Sequence, residues 1–481
     1  PQLVRLSDGR YLLVYVDMAP GSETETALYY ALSEDGLVWS APAPVQQGAG
    51  DGTSDYTPVL TATGTGAVVV WQDRQIPAEA IGSFEEAAEN IELSAAVFDG
   101  ASFGPEVSLT SGGNTYKTTV RLLSTGDGVT ACWLETDPAN VMLTGGDVQI
   151  QTASLRSGVW SAPETVDAVH ISAGGLTGFD AGVVDGTPMV VYAEDGQLHY
   201  YGLDGASDRG TLSTSGPLSS LQTVDGRLYW SDARGLVSWD GTSTGVAEDT
   251  LWLDGAEFTL LSSEGRRMIL VRQSTGFANE LYLSVEQDGW TSPVPVTSYG
   301  MSLSAASAVL DHEGRLHWAV GRTEVAEEVA GGASVFGGSD LAVGSYAPEA
   351  AVVVSEDAYL SDVELMQAEA GDTVGVSFQL SNQGAAAAEG LYATVAGRDG
   401  EEIKSSLYVI DESDPERAEV LLRRMAPGET LWASAKYTLP DAWEADVLTV
   451  RNYDGTDRLL GWAQAELPAA APDLAVEQVQ V

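Results

Sequence analysis

The chain carries very little positive charge. Its 481 residues include 22 lysines and arginines against 70 aspartates and glutamates, which gives a formal net charge of −48. Lysine is nearly absent and occurs only as Lys117, Lys404 and Lys436. Because a nucleic-acid backbone or an anionic membrane surface attracts a cationic patch, this balance argues against both as the main partner. It predicts an acidic, well-solvated exterior.

Cysteine and long apolar runs are also scarce. The single cysteine, Cys132, excludes an internal disulfide framework and a cysteine-based zinc site. No apolar run reaches the ~18 residues of a membrane-spanning helix, so we expect no membrane insertion. The four histidines, His170, His199, His312 and His317, lack metal-ligand spacing. His312 and His317 are predicted to be solvated residues at a turn.

Helical periodicity is almost absent, and a strand pattern repeats along the first three quarters of the chain instead. Glycine, with 53 residues, exceeds its usual share of ~7% and favours tight turns. The clearest repeat is an apolar strand that ends in an aromatic residue followed by an acid. Its copies are Tyr11 to Asp17, Ala67 to Asp73, Val129 to Glu135, Pro188 to Glu194 and Gly226 to Asp232, with weaker copies at Arg267 to Gln273 and Arg315 to Val320.

The repeats predict an all-β fold with a seven-bladed β-propeller over residues 1–347, six blades being the alternative. Successive copies are about 40–60 residues apart, as four-stranded blades with their loops require. Each repeat closes with a short tail that pairs Trp or Phe with Pro, typical of an outer edge strand. The aromatic anchors of the repeats are predicted to be core between blades. The most helix-like stretch, 77–90, is predicted to be a loop insertion.

One turn resembles a known motif. The segment Ser33-Glu-Asp35-Gly36-Leu-Val-Trp39 resembles the Asp-box of sialidase-like (BNR) propellers, whose pattern is Ser-x-Asp-x-Gly-x-x-Trp. It lacks one residue between Asp and Gly, and Asp288-Gly289-Trp290 is shorter still. The resemblance implies a sialidase-like propeller fold. Because the Asp-box is a fold element in that family, it does not by itself imply catalysis.

The composition and strand pattern of the sequence change after residue 347. Residues 348–358 are predicted to be a linker and residues 359–467 an immunoglobulin-like β-sandwich. Its alternating strand Gly371 to Gly384, with an Asn-x-Gly turn, resembles the bacterial CARDB adhesion-type domain. The segment 468–481 resembles the start of this sandwich and is predicted to be a linker and the start of a further module. The sequence opens at Pro1 without a signal peptide, so we expect its natural start to precede it.

The repeat also predicts where a ligand would bind. In a propeller the second strands of all blades end on one face, together with the loops between blades. The predicted ligand-binding face consists of the acids that end these strands and the arginines beside them: Asp17, Asp73, Glu135, Glu194, Asp232, Arg74, Arg234, Arg272 and Arg322. Alternatively, each acid caps its own loop or pairs with a neighbouring arginine, since Asp and Glu are common turn formers.

Other features of this face leave further alternatives open. The long loops 18–25, 74–90, 136–147 and 322–339 would build a wall on one side, or they are tolerated surface insertions. A bound Ca²⁺ would suit the acidic loops around Asp51, Asp55 or Glu85 and Glu86, although no EF-hand pattern supports it. Arg5 and Arg121, each in a Val-Arg-Leu run, are expected near the opposite face, in structural roles.

The sequence favours a recognition protein over an enzyme. Sialidase chemistry needs three clustered arginines, a Tyr–Glu pair and an Asp acid, and the Arg-Ile-Pro marker of that family is absent. We therefore expect a secreted or surface-attached bacterial protein whose propeller binds an extracellular glycan or protein, with the sandwich as its stalk and no cofactor beyond Ca²⁺. The alternatives are a diverged sialidase-like glycoside hydrolase, with Arg74, Arg234 and Arg322 as the clamp, and a purely structural surface-layer or stalk element.

Overall fold

The structure is a computed structural model that describes most of the 481 residues. The described ranges are 1–46, 52–126, 128–203, 209–253, 255–274, 278–286, 289–297, 299–312, 314–329, 333–346, 352–354, 359–361, 371–382, 388–397, 402–410, 420–425, 429–439, 446–453 and 459–467. Within these ranges, no helix is long and apolar enough to cross a membrane.

Seven antiparallel sheets follow one another along the chain and form the blades of a propeller, which confirms the predicted fold class. Blade 1 contains β1 (Gln2–Arg5), β2 (Tyr11–Met18), β3 (Thr26–Ser33) and β4 (Ala43–Pro44). Blade 2 contains β5 (Asp55–Ala62), β6 (Ala67–Arg74), β7 (Ile91–Phe98) and β8 (Val107–Ser108). Blade 3 contains β9 (Tyr116–Thr125), β10 (Gly128–Thr136), β11 (Gly146–Arg156), β12 (Val159–Trp160) and β13 (Glu164–Ile171), the last two pairing with β11.

Blades 4 to 6 repeat this arrangement, whereas in blade 7 two short strands take the place of one innermost strand. Blade 4 contains β14 (Leu176–Val184), β15 (Thr187–Glu194), β16 (Gln197–Gly202) and β17 (Arg209–Ser213). Blade 5 contains β18 (Ser219–Val224), β19 (Arg227–Asp232), β20 (Gly235–Trp239) and β21 (Thr244–Ala247). Blade 6 contains β22 (Phe258–Ser263), β23 (Arg266–Ser274), β24 (Asn279–Val285) and β25 (Val294–Pro295). Blade 7 contains β26 (Ser302–Leu303), β27 (Ser307–Leu310), β28 (Leu316–Val329) and β29 (Ala333–Tyr346).

The second strand of each blade is apolar because it lies in the middle of its sheet and is covered on both faces by neighbouring blades. Trp71, Trp133 and Trp230 are fully buried, and Tyr192 is 4% exposed. These four anchors therefore pack between blades, as predicted, whereas Tyr15 is only half-buried. The prolines of β4 and β25 lie on outermost strands, where a missing N–H group costs least.

Several innermost strands contain a β-bulge. The register shifts in β5, β9 and β18, and each of these bulges holds a non-glycine residue with a left-handed backbone. These residues are Thr57 (φ 42°), Thr119 (φ 54°) and Ser220 (φ 47°). A left-handed conformation is unfavourable for residues other than glycine and occurs mostly where the surrounding structure enforces it. The bulges re-aim side chains close to the central channel.

The ring closes between blades 1 and 7 through side chains. The backbone N–H of Leu3 donates to Ser307 Oγ at 2.8 Å. The His317 ring lies beside Tyr11, with Nε2 3.0 Å from the Tyr11 hydroxyl and 3.4 Å from Asp311 Oδ2. His317 is 2% exposed, so its predicted place in solvent is wrong. It lies on β28, whose burial in the ring lowers the pKa of the imidazole.

The insertion after β6 is partly helical. A 3₁₀ helix (Ala78–Ala80) precedes α1 (Phe84–Glu89), whose first turn is capped by Ser83 Oγ accepting from the backbone N–H of Glu86. The stretch predicted to be only a loop therefore contains a short helix, because a Ser cap precedes a run of Ala and Glu. Two further 3₁₀ segments are Pro138–Asn140 and Glu248–Leu253.

The C-terminal part of the chain forms a nearly closed β-sandwich. Its strands are β30 (Val352–Val354), β31 (Tyr359–Ser361), β32 (Thr373–Asn382), β33 (Ala388–Glu389), β34 (Tyr392–Ala396), β35 (Ile403–Ile410), β36 (Val420–Leu421), β37 (Arg424–Met425), β38 (Thr430–Thr438), β39 (Asp446–Tyr453) and β40 (Leu459–Leu467). Its main sheet has the order β30-β32-β38-β35-β34-β39-β40. Residues 352–354, inside the segment predicted as a linker, pair with β32. The predicted segment 468–481 lies outside the described residues.

The sandwich packs against blade 7. Arg315 Nη1, in the turn between β27 and β28 of blade 7, donates to the carbonyl of Leu459 in β40 at 2.8 Å. Trp318 of blade 7 and Trp462 of β40 line the same narrow space.

Candidate functional site

The acids predicted to form a ligand-binding ring are bonded within their own blades. Asp232 accepts hydrogen bonds from Arg234 Nη2 at 2.5 Å and from Trp230 Nε1 at 3.1 Å. Although burial alone would raise it, the bonds from Arg234 and from backbone N–H groups lower the pKa of Asp232 to about 2. Glu135 accepts from Trp133 Nε1 at 2.9 Å.

The other three acids of this ring also contact their own blade or its loop. Glu194 accepts from the backbone N–H of Ser172 at 3.0 Å. Asp73 accepts from Gln75 Nε2 at 2.7 Å, and Asp17 accepts from the backbone N–H of Met18 at 2.7 Å. These bonds favour the alternative in which the acids stabilise loops, and a role in ligand binding stays a prediction.

The arginines predicted beside the acids do not share one set of contacts. Arg74 is 6% exposed and donates to Ser54 Oγ at 3.0 Å. Arg322 makes a two-pronged pair with Asp340, at 2.8 and 2.7 Å, and lies over the Tyr299 ring. With Arg234 held by Asp232, each arginine of the predicted clamp is engaged in its own blade. Arg272 is different, because it lines a cavity in the central channel.

This cavity, which we name the channel mouth, is formed mainly by the innermost strands of blades 3 to 6, with further lining residues from β23 and β24 and from Ala305 and Ala306 of blade 7. It has a volume of about 350 Å³, within the usual range for ligand pockets. Residues from the start of β22 and the end of β23 line it, so it opens at the end of the propeller where the second strands finish. Its polar and aromatic lining includes Arg121, Phe179, Asp180, Gln222, Glu257 and Arg272.

Two ion pairs line the channel mouth. Arg121 Nε lies 3.5 Å from Asp180 Oδ1, and Arg272 Nη2 lies 2.5 Å from Glu257 Oε2. Burial raises the pKa of Asp180, and the positive charge of Arg121 offsets this only in part. Thr223 Oγ1 also donates to Asp180 at 2.9 Å. The cavity therefore presents two guanidinium groups and two carboxyl groups whose environments differ.

A bulge holds the neighbouring part of the lining. In β18 the left-handed residue Ser220 accepts the backbone N–H of Phe258 at 2.9 Å through its Oγ. Gln222 then bonds both the carbonyl of Phe258, at 2.5 Å, and the backbone N–H of Leu260, at 2.9 Å. These side chains join the innermost strands of blades 5 and 6 and fix the channel wall.

Arg121 was expected near the opposite face, and this expectation is wrong. Strand β9 continues to Thr125, so Arg121 lies four residues before the end of the strand, a distance of roughly 13 Å. Arg5, in the matching Val-Arg-Leu run, is the last residue of the shorter β1 and contacts His312 near the turn of blade 7, as expected. Arg5 and Arg121 therefore lie at different depths along the channel because β9 is longer than β1, and the shared tripeptide does not encode strand length.

Sequence reasoning also missed Asp180 and Glu257. The signal for Asp180 is an acid inside β14, where the surrounding residues Phe179 and Ala181 are apolar. An acid at such a position in an inner strand must face the channel or be neutralised. Glu257 precedes β22 by one residue and shows no comparable signal.

A separate buried acid lies at the start of blade 2. Asp55 is 6% exposed and faces Asp73 across the β5–β6 pair. Burial, and then repulsion from Asp73, raise the pKa of Asp55 to about 7, although Trp71 Nε1 donates to it at 2.8 Å. Of the acids predicted for Ca²⁺, Asp51 lies outside the described residues, and Glu86 accepts from the backbone N–H of Gly82.

The described part of the chain contains no group of three or more His, Cys, Asp or Glu side chains arranged to hold a metal ion. Glu85 lies beside Glu86 in the first turn of α1 and belongs to no such group among the described residues. A Ca²⁺ site therefore stays a prediction.

Comparisons with known proteins give low similarity. No protein-family model and no curated protein sequence matches the chain. A sialidase from Trypanosoma rangeli, solved with the inhibitor DANA, is 10% identical, with 87% of this chain and 89% of that chain covered and a TM-score of 0.38. An α-L-arabinanase from Penicillium chrysogenum, solved with arabinobiose, is 12% identical, with 67% and 88% covered and a TM-score of 0.38. Similarity at this level carries no argument about ligand or reaction, and the propeller is assigned from its own strand pairing.

Proposed function

We propose that the propeller is a recognition head that binds a saccharide of an extracellular glycan at the channel mouth. The observation that carries this proposal is the cavity of about 350 Å³, in which Arg121, Arg272, Asp180 and Glu257 line one space. Pockets with a few convergent polar groups are the usual binding sites of folds with a central depression.

The chemistry of the lining suits a sugar. Carboxyl groups accept hydrogen bonds from sugar hydroxyls, and guanidinium groups donate to hydroxyl or carboxylate oxygens. The Gln222 amide and the Ser220 hydroxyl are already engaged in bonds to blade 6, so they contribute a rigid wall. A rigid, mixed-charge cavity favours a polar ligand with several hydroxyl groups over an apolar one.

A glycan array followed by calorimetry tests this proposal. Wild-type chain should bind a restricted set of glycans, and Arg121→Gln or Arg272→Gln should weaken that binding at least about tenfold, because each removes a charge-assisted contact. Arg234→Gln is the matched control, since it removes the same charge at the same end of the propeller outside the cavity. An array without any signal, or equal losses for all three variants, would contradict the proposal.

A second candidate function is glycoside hydrolysis at the same cavity. Its support is the pair Asp180 and Glu257, since glycosidases use one carboxyl group that stays protonated and another that is ionised. Burial raises the pKa of Asp180, whereas Glu257 pairs with Arg272 and is about half exposed. Incubation with fluorogenic sialosides and other glycosides separates the two functions: turnover that Asp180→Asn abolishes would make the protein an enzyme, and binding without turnover would favour recognition.

The proposal also assigns a role to the C-terminal sandwich. We infer that it acts as an immunoglobulin-like spacer that holds the propeller away from a bacterial cell surface. The strong excess of acidic residues suits a well-solvated spacer. A chain that binds no glycan and associates only with neighbouring copies would instead be a structural surface element.

A further inference from the structure

A second, larger cavity lies between blades 3 and 4. Its volume is about 910 Å³, against about 350 Å³ for the channel mouth. Its inner end is formed by Leu123 and Thr125, near the end of β9, and by Gly186, in the turn between β14 and β15. It therefore opens at the end of the propeller opposite to the channel mouth. We name it the blade 3–4 groove.

The sheet of blade 3 explains why a groove exists here. Strand β11 pairs on its outer side with two separate strands, β13 along its first part and β12 along its end. The outer strand is therefore interrupted only at Ala162 and Pro163, since the Ser161 N–H still donates to the carbonyl of Ser154 at 2.9 Å. Thr152, Ser154 and Thr165 of blade 3 line the groove. The floor is rich in hydroxyl groups, as Thr130 Oγ1 and Ser154 Oγ, 3.1 Å apart, also illustrate.

The opposite wall holds an arginine in a fixed position. The rings of His199, Tyr192 and Tyr201 stack in sequence, with centroids 4.7 and 6.0 Å apart. The Arg209 guanidinium lies over the last ring, 5.1 Å from the Tyr201 centroid, and Nη1 pairs with Asp167 at 3.2 Å. Stacking and pairing orient the guanidinium, whose side chain is 60% exposed.

The charge of the lining differs from that of the protein. Acidic residues outnumber basic ones by 70 to 22 in the chain, whereas in this groove Arg156 and Arg209 balance two acids, the lining residue Glu164 and Asp167, which pairs with Arg209. The side chains of Arg156, Arg209 and Glu164 are exposed. A groove in which the charges balance repels an anionic ligand less than the rest of a strongly negative molecule does, so an anionic ligand is favoured here over other parts of the surface.

We propose that the blade 3–4 groove binds an anionic linear oligosaccharide, whose carboxylate or sulfate groups contact Arg156 and Arg209 and whose hydroxyl groups contact the threonine and serine side chains. The groove has a polar lining and a volume of about 910 Å³, which suit several linked sugar units. This site is separate from the channel mouth and does not depend on the function proposed for it.

Calorimetry with two anionic series and one neutral series tests the proposal on the full chain. The probes are galacturonate oligomers of two to six units, sulfated heparin-derived oligomers of the same lengths, and neutral maltose oligomers. We expect at least one anionic series to bind and the neutral series not to bind, with affinity that falls as salt concentration rises. Arg156→Gln and Arg209→Gln should each weaken binding about tenfold or more.

Arg227→Gln is the matched control. Arg227 starts the second strand of blade 5, is also exposed, and pairs with Asp240 at 3.7 Å, so its replacement removes the same charge outside the groove. The thermal midpoint of every variant checks that it is folded, and the exposed Arg156 provides a test if Arg209→Gln is destabilised. Failure of both anionic series to bind, equal binding of the neutral series, or equal effects of all three variants would overturn the proposal. Loss of anionic binding in Arg121→Gln instead would place the ligand at the channel mouth and would also overturn it.

Discussion

Asp55 makes the stability of the propeller depend on pH. Its pKa is raised to about 7 in the folded protein from an ordinary value of 3.8, first by burial and then by the charge of Asp73. The folded state therefore binds the proton more tightly than the unfolded state. The stabilisation is complete below about pH 4 and is lost as the pH rises through about 7, by up to about 4 kcal/mol.

Asp55→Asn should raise the thermal midpoint at pH 8 and change it much less at pH 4. The amide oxygen can still accept the bond from Trp71 Nε1, so only the charge is removed. Thermal scans across pH 4 to 8 measure the difference. Asp17→Asn, at the exposed end of the second strand of blade 1, is the control and should leave the midpoint nearly unchanged. A pH profile that is parallel for wild type and Asp55→Asn would show that this carboxyl is not the group responsible.

Gly36 supports the buried histidine of the ring closure. It has φ +76°, and a Cβ at this position would lie 2.3 Å from Nδ1 of His317. Gly36→Ala should destabilise the propeller by about 2–4 kcal/mol, through a left-handed alanine and displacement of a packed ring. Gly21→Ala isolates the first effect, because Gly21 has φ +78° and nothing within 4 Å, and should cost only about 1–2 kcal/mol. Urea denaturation compares the two, and equal losses would mean that the histidine ring moves without cost.

At the level of single side chains, the sequence predicts whether a residue is buried better than it predicts which part of the propeller its side chain reaches. Trp71, Trp133 and Trp230 were identified as core because an aromatic residue recurs at the same place in each apolar repeat, which can be read along the chain. Arg121 was misplaced because its direction depends on how far β9 continues and on the bulge at Thr119, which shifts the register by one residue. A bulge that depends on contacts with a neighbouring blade cannot be recognised from the local sequence.

At the level of strands, side chains connect one innermost strand to the next. Gln222 of β18 bonds the carbonyl of Phe258 and the N–H of Leu260, and both groups belong to β22. Gln222→Met keeps the volume but leaves these two backbone groups without their partner, which should cost about 2–4 kcal/mol. Because Gln222 also lines the channel mouth, glycan binding there should weaken in the same variant.

Gln197→Met is the control for this prediction. Gln197 is exposed at the start of β16 and lies in no channel wall, so its replacement should change the unfolding midpoint by little. Guanidinium denaturation followed by tryptophan fluorescence measures both variants. If Gln222→Met were as stable as Gln197→Met, the side-chain bridge between blades 5 and 6 would contribute nothing to the channel wall.

At the scale of the whole molecule, the architecture follows from sequence because it is repetitive. Because the same strand pattern recurs seven times at similar spacing, the number of blades is predicted correctly even though the copies at Arg267 and Arg315 are weak. The site is not repetitive. The channel mouth uses Arg121, Asp180 and Glu257 from three different positions of the repeat, and only the closed ring brings them together.

A chain of contacts also joins the two ends of the ring to the C-terminal sandwich. Tyr11 of blade 1 contacts His317, His317 contacts Asp311, and Asp311 accepts the backbone N–H of Arg315 at 2.8 Å. Arg315 then donates to the carbonyl of Leu459 in the sandwich. The turn of blade 1 offers a close parallel, since Arg10 bonds Asp8 but reaches the carbonyl of Gly100 in blade 2.

Arg315→Met should therefore uncouple the sandwich from the propeller, whereas Arg10→Met should not. Arg315 is largely buried, with a side chain 11% exposed, and its loss leaves the Leu459 carbonyl without its donor at the contact between the two parts. Calorimetric scans should show the transition of the sandwich moving to lower temperature and separating from that of the propeller. Arg10→Met removes an equivalent bond wholly inside the propeller, so it should lower the propeller transition alone. Identical scans for the two variants would mean that the contact through Leu459 does not transmit stability, and that the sandwich is held to blade 7 by the packing of Trp462 and Val354 instead.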